Sequence, residues 1–224
     1  PVAIGDSERM PPNAAIICFD DAWAGTFANG FAILDELSIP AIAFLNYCGV
    51  DHGVDATALA AFERGFEAGF PDMSHRHDRP ADPDSFRAFQ GELVSESTIN
   101  GWDGHPRFWF GSHLYWHVVS VGAKRTELEE SYQRNAERLA ELDNGIRFVS
   151  FPFGQPGDHF DDSHVATIQR LGAERLFSAR SRVNRGPLAY LVDRTSMPTG
   201  DPLPGQALMN LLHRELLDRL GRTR

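Results

Sequence analysis

Short apolar runs alternate with segments of helical periodicity along this chain. Residues 14–19 form a continuous apolar run that is typical of a buried strand, and residues 27–37 repeat apolar side chains at helical spacing before Pro40 ends the pattern. The alternation continues to the end of the sequence. It predicts further strands at residues 40–45, 107–111, 146–151, 175–178 and 188–192, and further helices at residues 56–67, 85–94, 127–142, 162–171 and 205–220.

This order of elements predicts a parallel β-sheet. Strand–helix alternation over the whole length favours one α/β domain, residues 1–224, whose sheet is either open or closed into a (β/α) barrel. No composition break, internal repeat or linker divides the sequence. Residues 46–106 form a longer connection than two neighbouring strands require, and we expect them to include an insertion that covers a substrate cleft.

The composition adds an acidic balance to this picture. Of the 224 residues, 42% are hydrophobic and 23% are charged, and the formal net charge is −10. An acidic surface repels phosphate groups, so we expect no nucleic-acid partner. No apolar stretch reaches the about 18 residues that a transmembrane helix needs. The sequence does not indicate the oligomeric state. It also leaves the localisation open between cytoplasmic and exported, because a removed signal peptide leaves no trace.

Two pairs of polar side chains follow predicted strands directly. Asp20 and Asp21 end the first strand, and His113 and His117 follow the strand at residues 107–111. Reacting groups gather at the carboxyl ends of parallel strands, so we expect both pairs on one face of the sheet. Histidines four residues apart on a helical turn point the same way and can share one metal ion. Consecutive strand residues point to opposite faces, so the chain must bend for both aspartates to reach that ion.

Three segments carry recognisable motifs: Cys18-Phe19-Asp20-Asp21-Ala22, Ser112-His113-Leu114-Tyr115-Trp116-His117 and Ser150-Phe151-Pro152-Phe153-Gly154. They resemble T-F-D-D-G, [SN]-H-x-x-x-H and, in part, R-x-P-[YF]-G. These are the first three motifs of the polysaccharide deacetylases of the NodB-homology type, carbohydrate esterase family 4. Residues 38–45 and 172–179 are also similar to strands of that family, so the resemblance spans residues 14–195.

The resemblance implies a distorted TIM-like barrel of the NodB type and a metal-dependent deacetylase. In this interpretation Asp21, His113 and His117 hold a divalent metal, expected to be Zn²⁺, and Asp20 is the general base. A bound metal lowers the pKa of water toward ~7, and a neighbouring carboxylate can take the proton as the water attacks an amide carbonyl. The expected substrate is an N-acylated amino sugar, with acetyl as the expected acyl group, in a glycan or a lipid-linked saccharide.

The sequence departs from the family pattern in three places. Ala22 replaces the glycine after the aspartate pair, a minor change unless the backbone there needs a positive φ. Ser150 stands where the third motif has an arginine that orients the catalytic aspartate, and Arg194 or Arg147 is the expected substitute. No late L-x-x-H motif is found that would supply the general acid. His159, which follows the Pro-Phe-Gly turn, is the candidate for that role.

Candidate substrate-binding residues come from the second and third motifs. Tyr115 and Trp116 can offer aromatic faces to a sugar ring, although such side chains also serve as core residues. Pro152, Phe153 and Gly154 of the third motif are expected on the same face as the metal ligands.

Two alternative functions fit the same residues. One is a C–N hydrolase that acts on a small non-sugar amide or a formamide. The other is a non-catalytic carbohydrate-binding protein that retains the metal site. Turnover by the metal-loaded protein distinguishes both enzymes from the binding protein.

Overall fold

The computed structural model describes residues 15–52, 93–117, 119–184 and 189–195. Within these ranges strands alternate with helices, as the hydrophobic pattern predicts. The strands are β1 (Ile17–Phe19), β2 (Ala41–Leu45), β3 (Phe108–Ser112), β4 (Gly145–Ser150), β5 (Arg175–Ser178) and β6 (Leu191–Asp193). The helices are α1 (Ala32–Glu36), which continues a π-helical segment (Thr26–Phe31), α2 (Tyr47–His52), α3 (Glu96–Asn100), α4 (Arg125–Leu139) and α5 (Asp162–Arg170).

The six strands form one parallel sheet in the order β1-β2-β3-β4-β5-β6. Each strand pairs with its neighbours in the sequence, and no reversal of strand order divides this sheet into halves. Sequential order is the pattern of a (β/α) barrel, whereas a doubly wound sheet reverses its order at a switch point. The predicted α/β class with a parallel sheet is confirmed.

The sheet is curled into a half-barrel. β1 and β6 are its edge strands, and five spacings of ~4.8 Å would separate them by about 24 Å if the sheet were flat. Nevertheless Arg194, which follows β6, lies with Nη1 2.8 Å from Oδ1 of Asp20, which follows β1. The carboxyl ends of the two edge strands therefore converge. Closure into a complete barrel stays a prediction, because β1 and β6 do not pair within the described ranges.

Side chains alternate between the inside and the outside of the half-barrel. Ile42 and Phe44 of β2 point inward, whereas Ala41, Ala43 and Leu45 join the outer cluster that packs against the helices. This period-2 alternation is what a strand buried on both faces requires. The packed interior supports the strand ends that carry the polar residues. It consists of Ile42, Phe44, Phe148, Phe177 and Val192, with Ile16, Cys18, Trp109 and Ile146 packed against them.

Some predicted elements differ from the observed ones. Of the helix predicted at residues 85–94, only the last two residues lie in the described part of the chain. They are not helical, and Leu93 forms an antiparallel bridge with Trp23. The helices predicted at residues 56–67 and 205–220 lie outside the described residues, as does most of the proposed insertion within residues 46–106. None of the helices in the described part of the chain has the length and hydrophobicity of a membrane span.

Candidate active site

The chain bends directly after β1, and the bend lies at the aspartate pair. β1 ends at Phe19, and Asp21 and Ala22 have φ angles of 72° and 59°, in the left-handed region. This turn directs Asp20 and Asp21 toward the same site, as required if both are to reach one ion. Ala22 thus occupies a conformation that favours glycine, at a cost of about 1 kcal/mol. Replacement of the motif's glycine by alanine is therefore not neutral for the backbone.

The second motif follows β3 and is fixed by polar side chains of α4. Leu114 has a φ of 60°, and its N–H donates to Oγ of Ser112 over 3.1 Å. The buried Asn135 donates from Nδ2 to the same hydroxyl over 2.8 Å. Ser131, about one helical turn earlier, accepts at Oγ from the N–H of Tyr115 over 3.0 Å. α4 therefore determines the path of the loop that carries both histidines.

Asp21, His113 and His117 form a compact cluster of donor atoms. Oδ1 of Asp21 lies 3.0 Å from Nε2 of His113 and 3.0 Å from Nε2 of His117. One donor atom from each of the three residues lies within 4.8 Å of the others. The side chain of His113 is 1% exposed, whereas those of His117 and Asp21 are 20% and 33% exposed. The cluster is thus buried on one side and open to solvent on the other.

Hydrogen bonds behind the cluster orient two of its members. Nδ1 of His113 lies 2.9 Å from the carbonyl oxygen of Ser150. A carbonyl can only accept, so Nδ1 carries the proton, and in the neutral ring Nε2 presents its lone pair to Asp21. On the other side, Nε1 of Trp23 donates to Oδ2 of Asp21 over 3.3 Å. This bond leaves Oδ1 of Asp21 to face the two imidazoles.

The donor set fits a divalent metal ion. Oδ1 of Asp21 is buried, yet it makes no hydrogen bond of acceptable geometry in the structure. A buried carboxylate oxygen without a partner is costly, and a bound cation would supply the missing interaction. Two imidazole nitrogens and one carboxylate oxygen are a common ligand set of catalytic zinc sites, which keep a further position open for water.

Asp20 lies beside this cluster and is held by Arg194 and Ser150. The guanidinium of Arg194 forms a two-pronged pair with the carboxylate: Nη1 lies 2.8 Å from Oδ1 and Nη2 lies 2.9 Å from Oδ2. Ser150 donates from Oγ to Oδ2 of Asp20 over 3.2 Å and accepts from Nη2 of Arg194 over 2.6 Å. Arg147, the other expected substitute for the motif's arginine, is 67% exposed and pairs with Glu174 instead. The structure therefore favours Arg194 over Arg147.

The charges around the site lower the pKa values of both aspartates. Burial alone would raise the pKa of Asp20, but His113 and Arg194 outweigh it and lower the pKa. Burial also opposes the shift at Asp21, where His117 and His113 hold the pKa well below its usual value. Burial would lower the pKa of His113, but the two carboxylates more than compensate and raise it. Both aspartates are therefore ionised at neutral pH, as a metal ligand and a general base must be.

The third motif forms a strained turn next to the cluster. Phe153 has a φ of 62°, and the N–H of Gly154 donates to the carbonyl of Pro152 over 2.8 Å. Gly154 has a φ of 66°, and a Cβ there would lie 2.8 Å from the backbone nitrogen of Ala179, so only glycine fits. The ring of Phe153 packs against that of His117, with a centroid distance of 4.9 Å. The turn therefore lies beside His117, the more exposed of the two histidines.

His159 packs on the same phenylalanine. The ring centroids of His159 and Phe153 are 5.5 Å apart, so Phe153 contacts both His159 and His117. Nδ1 of His159 accepts from the N–H of Gln155 over 3.1 Å, so the proton of the neutral ring is on Nε2. A proton on the outer nitrogen is what a general acid needs. The role itself stays a prediction.

Tyr115 and Trp116 differ in exposure. Tyr115 is 2% exposed, and its hydroxyl donates to Oδ2 of Asp51 in α2 over 3.0 Å. The guanidinium of Arg134 lies 4.3 Å from the ring centroid of Tyr115 and 5.2 Å from that of Trp116. The burial of Tyr115 argues against stacking on a sugar and indicates that Tyr115 connects the second motif to α2. Trp116 is only partly buried and is the better candidate of the pair.

Backbone strain is concentrated at the site. Of the five non-glycine residues with positive φ in the described chain, four lie in the three motifs: Asp21, Ala22, Leu114 and Phe153. Each such conformation costs about 1–3 kcal/mol and persists only where the surrounding contacts enforce it. Strain of this kind tends to cluster at functional sites.

Four supporting side chains were not predicted from the sequence. Ser131 and Asn135 carry a signal, since they are polar residues on the buried stripe of α4 that also contains Tyr132 and Leu139. Trp23 lies two residues after Asp21, but nothing local indicates that its indole turns back to the carboxylate. The hydroxyl of Ser150 has no local signal, because both of its partners are distant in sequence.

No protein-family model matches the sequence, and no curated protein matches it either. Solved structures with the same fold do match. A de-N-acetylase from Aggregatibacter actinomycetemcomitans aligns with a TM-score of 0.63 at 14% identity, over 91% of this chain and 76% of that one. IcaB from Ammonifex degensii aligns with a TM-score of 0.62 at 18% identity, over 92% and 75% of the two chains. The Streptococcus pyogenes deacetylase PplD, in complex with acetate, aligns with a TM-score of 0.63 at 11% identity, over 91% and 73%.

The chain therefore has the fold of the polysaccharide deacetylases. The similarity covers nine-tenths of this chain in each of the three alignments. The resemblance inferred from the three motifs is thus confirmed at the level of the fold.

Proposed function

We propose that this protein is a metal-dependent hydrolase that removes an N-acyl group, in the first instance acetyl, from an amino sugar in a glycan or a lipid-linked saccharide. The main observation behind this proposal is the cluster of Asp21, His113 and His117, whose donor atoms lie within 4.8 Å of one another. The carboxylate of Asp20, oriented by Arg194, lies beside this cluster. The shared fold supports the same proposal, since the similar proteins are described as deacetylases.

Asp21, His113 and His117 are the residues that would hold the metal, expected to be Zn²⁺. Such an ion acts as a Lewis acid that activates water and stabilises negative charge developing on a carbonyl oxygen. The buried imidazole of His113 is held by the carbonyl of Ser150, so its ligand nitrogen is oriented in advance. The partly exposed side of the cluster gives water and substrate access.

Asp20 is the proposed general base. Its Oδ1 accepts one hydrogen bond from Arg194, which leaves a lone pair on this oxygen for the proton of an attacking water. His113 and Arg194 together lower the pKa of this carboxylate, and Arg194 also fixes its plane.

His159 is the proposed general acid, and the third motif is the proposed wall of the substrate site. His159 carries its proton on Nε2 and packs on Phe153, next to His117. Trp116, Pro152, Phe153 and Gly154 are the proposed substrate contacts. A proton delivered to the departing amine by His159 would complete amide cleavage.

The experiment is acyl release by the zinc-loaded chain. We expect acetate from oligomers of N-acetylglucosamine, and we expect Asp20→Asn to reduce kcat at least ~100-fold while zinc stays bound, since only the base is removed. Asp162→Asn, an exposed aspartate at the start of α5, is the matched control and should keep wild-type kcat.

Other outcomes select the alternatives. Release of formate or acetate from small amides but not from N-acyl sugars would identify the non-sugar C–N hydrolase. Zinc binding without release from any acyl amide would favour the non-catalytic carbohydrate-binding protein. If the folded chain takes up no zinc at saturating concentration, the proposed function is wrong.

A further inference from the structure

Ser150 ends β4 and contacts both parts of the site. Its carbonyl accepts from Nδ1–H of His113 over 2.9 Å. Its hydroxyl donates to Oδ2 of Asp20 over 3.2 Å and accepts from Nη2 of Arg194 over 2.6 Å. The residue is fully buried. One rigid strand end thus touches a proposed metal ligand, the proposed base and the arginine that holds that base.

We propose that Ser150 is a positioning residue that fixes the separation and orientation of the base Asp20 relative to the ligand His113; this inference rests on the proposed function. The two contacts come from different parts of the same residue. The backbone carbonyl serves His113, and the side chain serves Asp20. Because both belong to one residue of a paired strand, a displacement of His113 and of Asp20 in opposite directions would break one of these bonds.

The guanidinium of Arg194 does not by itself provide this coupling. Arg194 reaches Asp20 from the edge strand β6 and, among the described residues, forms no hydrogen bond with His113. It defines the plane of the carboxylate, but its own position depends on the curl of the sheet. The hydroxyl of Ser150 adds a second direction of restraint from β4, which pairs with a neighbour on each side.

The side chain and the carbonyl of Ser150 can be separated by mutation. Ser150→Ala removes the hydroxyl bonds and keeps the carbonyl bond to His113, so metal affinity should be preserved. A misplaced catalytic group costs rate rather than affinity, and a shift of about 1 Å can cost up to ~100-fold. We therefore expect kcat for acetate release to fall at least ~10-fold, with KM and the zinc dissociation constant changed less than about threefold.

The control for a merely structural effect is Ile168→Val. Ile168 is fully buried in α5 and makes none of the hydrogen bonds that hold Asp20 and His113, and its shortening should cost about 1 kcal/mol of stability. At a similar loss of stability in the two variants, Ser150→Ala should lower kcat and Ile168→Val should not. Equal kcat values for the wild type and Ser150→Ala would overturn the inference, and so would a loss of rate that is fully explained by lost zinc.

A crystal structure of each zinc-loaded protein provides a readout that does not depend on turnover. We expect the zinc ligands to superpose and the Asp20 carboxylate to rotate or shift in Ser150→Ala. An unmoved Asp20 would overturn the positioning role. If the wild type releases no acyl group from any substrate, the proposed function fails, and this comparison still decides whether Ser150 positions Asp20.

Discussion

The two halves of the site are assembled in different ways. The proposed metal half consists of Asp21, His113 and His117, which come from two short motifs at the ends of β1 and β3. The base half consists of Asp20, Ser150 and Arg194, which follow or end β1, β4 and β6, and Asp20 is 174 residues away from Arg194. Two of the three proposed metal donors come from one loop and the third follows β1, whereas the base half depends on the curl of the whole sheet.

This difference has a functional consequence. The two histidines stay together wherever the loop after β3 keeps its path, which α4 enforces through buried hydrogen bonds. The Asp20–Arg194 pair forms only when the edge strands β1 and β6 converge. Metal binding should therefore tolerate disturbances of β6 that stop catalysis.

The largest expected effect is on the metal half. His113→Ala removes the buried ligand and should weaken zinc binding by at least ~100-fold, with loss of acyl release, because the remaining two donors cannot complete the site. Titration with a chromogenic chelator measures the affinity. His105→Gln, at the amino end of β3, is the control and should bind zinc normally. Loss of zinc in Asp21→Ala but not in His113→Ala would contradict the assignment of ligands.

The next effect concerns the base half. Arg194→Met removes the cation that pairs with the Asp20 carboxylate and should lower the free energy of unfolding by about 2–4 kcal/mol. The cost is below the upper end of the range for fully buried ion pairs because both side chains keep some solvent exposure. We expect kcat to fall ~100-fold while zinc affinity stays within about threefold. Chemical denaturation and acyl release measure the two effects.

Arg147→Met is the matched control for this substitution. Arg147 is 67% exposed, so its loss should change stability by less than about 0.5 kcal/mol. If Arg194→Met abolishes zinc binding, the two halves are not separable in the way proposed.

A smaller effect sharpens the description of the metal half. Trp23→Phe keeps an aromatic ring but removes the indole N–H that donates to Oδ2 of Asp21. Loss of a hydrogen bond behind a ligand should weaken zinc binding about 10-fold. Trp109→Phe, in β3, serves as the control because its indole belongs to the barrel interior. Unchanged zinc affinity in Trp23→Phe would show that the indole does not orient Asp21.

The smallest effect lies outside both halves. Asp161 is the N-cap of α5, and it accepts from the N–H groups of Ser163 and His164. The hydrogen bond from the Ser163 side chain is the main cause that lowers the pKa of Asp161 to about 2. Asp161→Ala should cost about 1 kcal/mol of stability at neutral pH without changing zinc affinity or kcat.

The pH dependence of this cap has a definite sign. The folded-state pKa is lower than the ordinary carboxyl value of about 3.9, so the stabilisation is present above pH ~4 and is lost as the pH falls through about 2. The difference in unfolding free energy between the wild type and Asp161→Ala should therefore shrink in acid. A difference that does not change between neutral pH and pH 2 would contradict the capping role of the ionised carboxylate.

Much of this organisation follows from the amino-acid sequence alone. Apolar runs and helical periodicity predict the strands and most of the described helices, because burial imposes periods of 2 and 3.6 on side chains. The motifs predict that Asp21, His113 and His117 share one face, because the carboxyl ends of parallel strands meet there. Arg194 was predicted only as one of two alternatives, since spacing along the chain does not reveal which strand edges converge.

The tertiary structure decided the rest. Only the folded chain shows the left-handed turn at Asp21 and Ala22, the pairing of Arg194 rather than Arg147 with Asp20, and the double contact of Ser150. Ser150 and Arg194, which hold Asp20, lie 130 and 174 positions away from it in the sequence. The sequence by itself predicted which donors meet at the proposed metal half. Local spacing pairs the two histidines, and Asp21 joins them because both motifs follow predicted parallel strands whose carboxyl ends lie on one face. Only the folded sheet determined how the base is held, because its partners are brought together by the convergence of the strand ends.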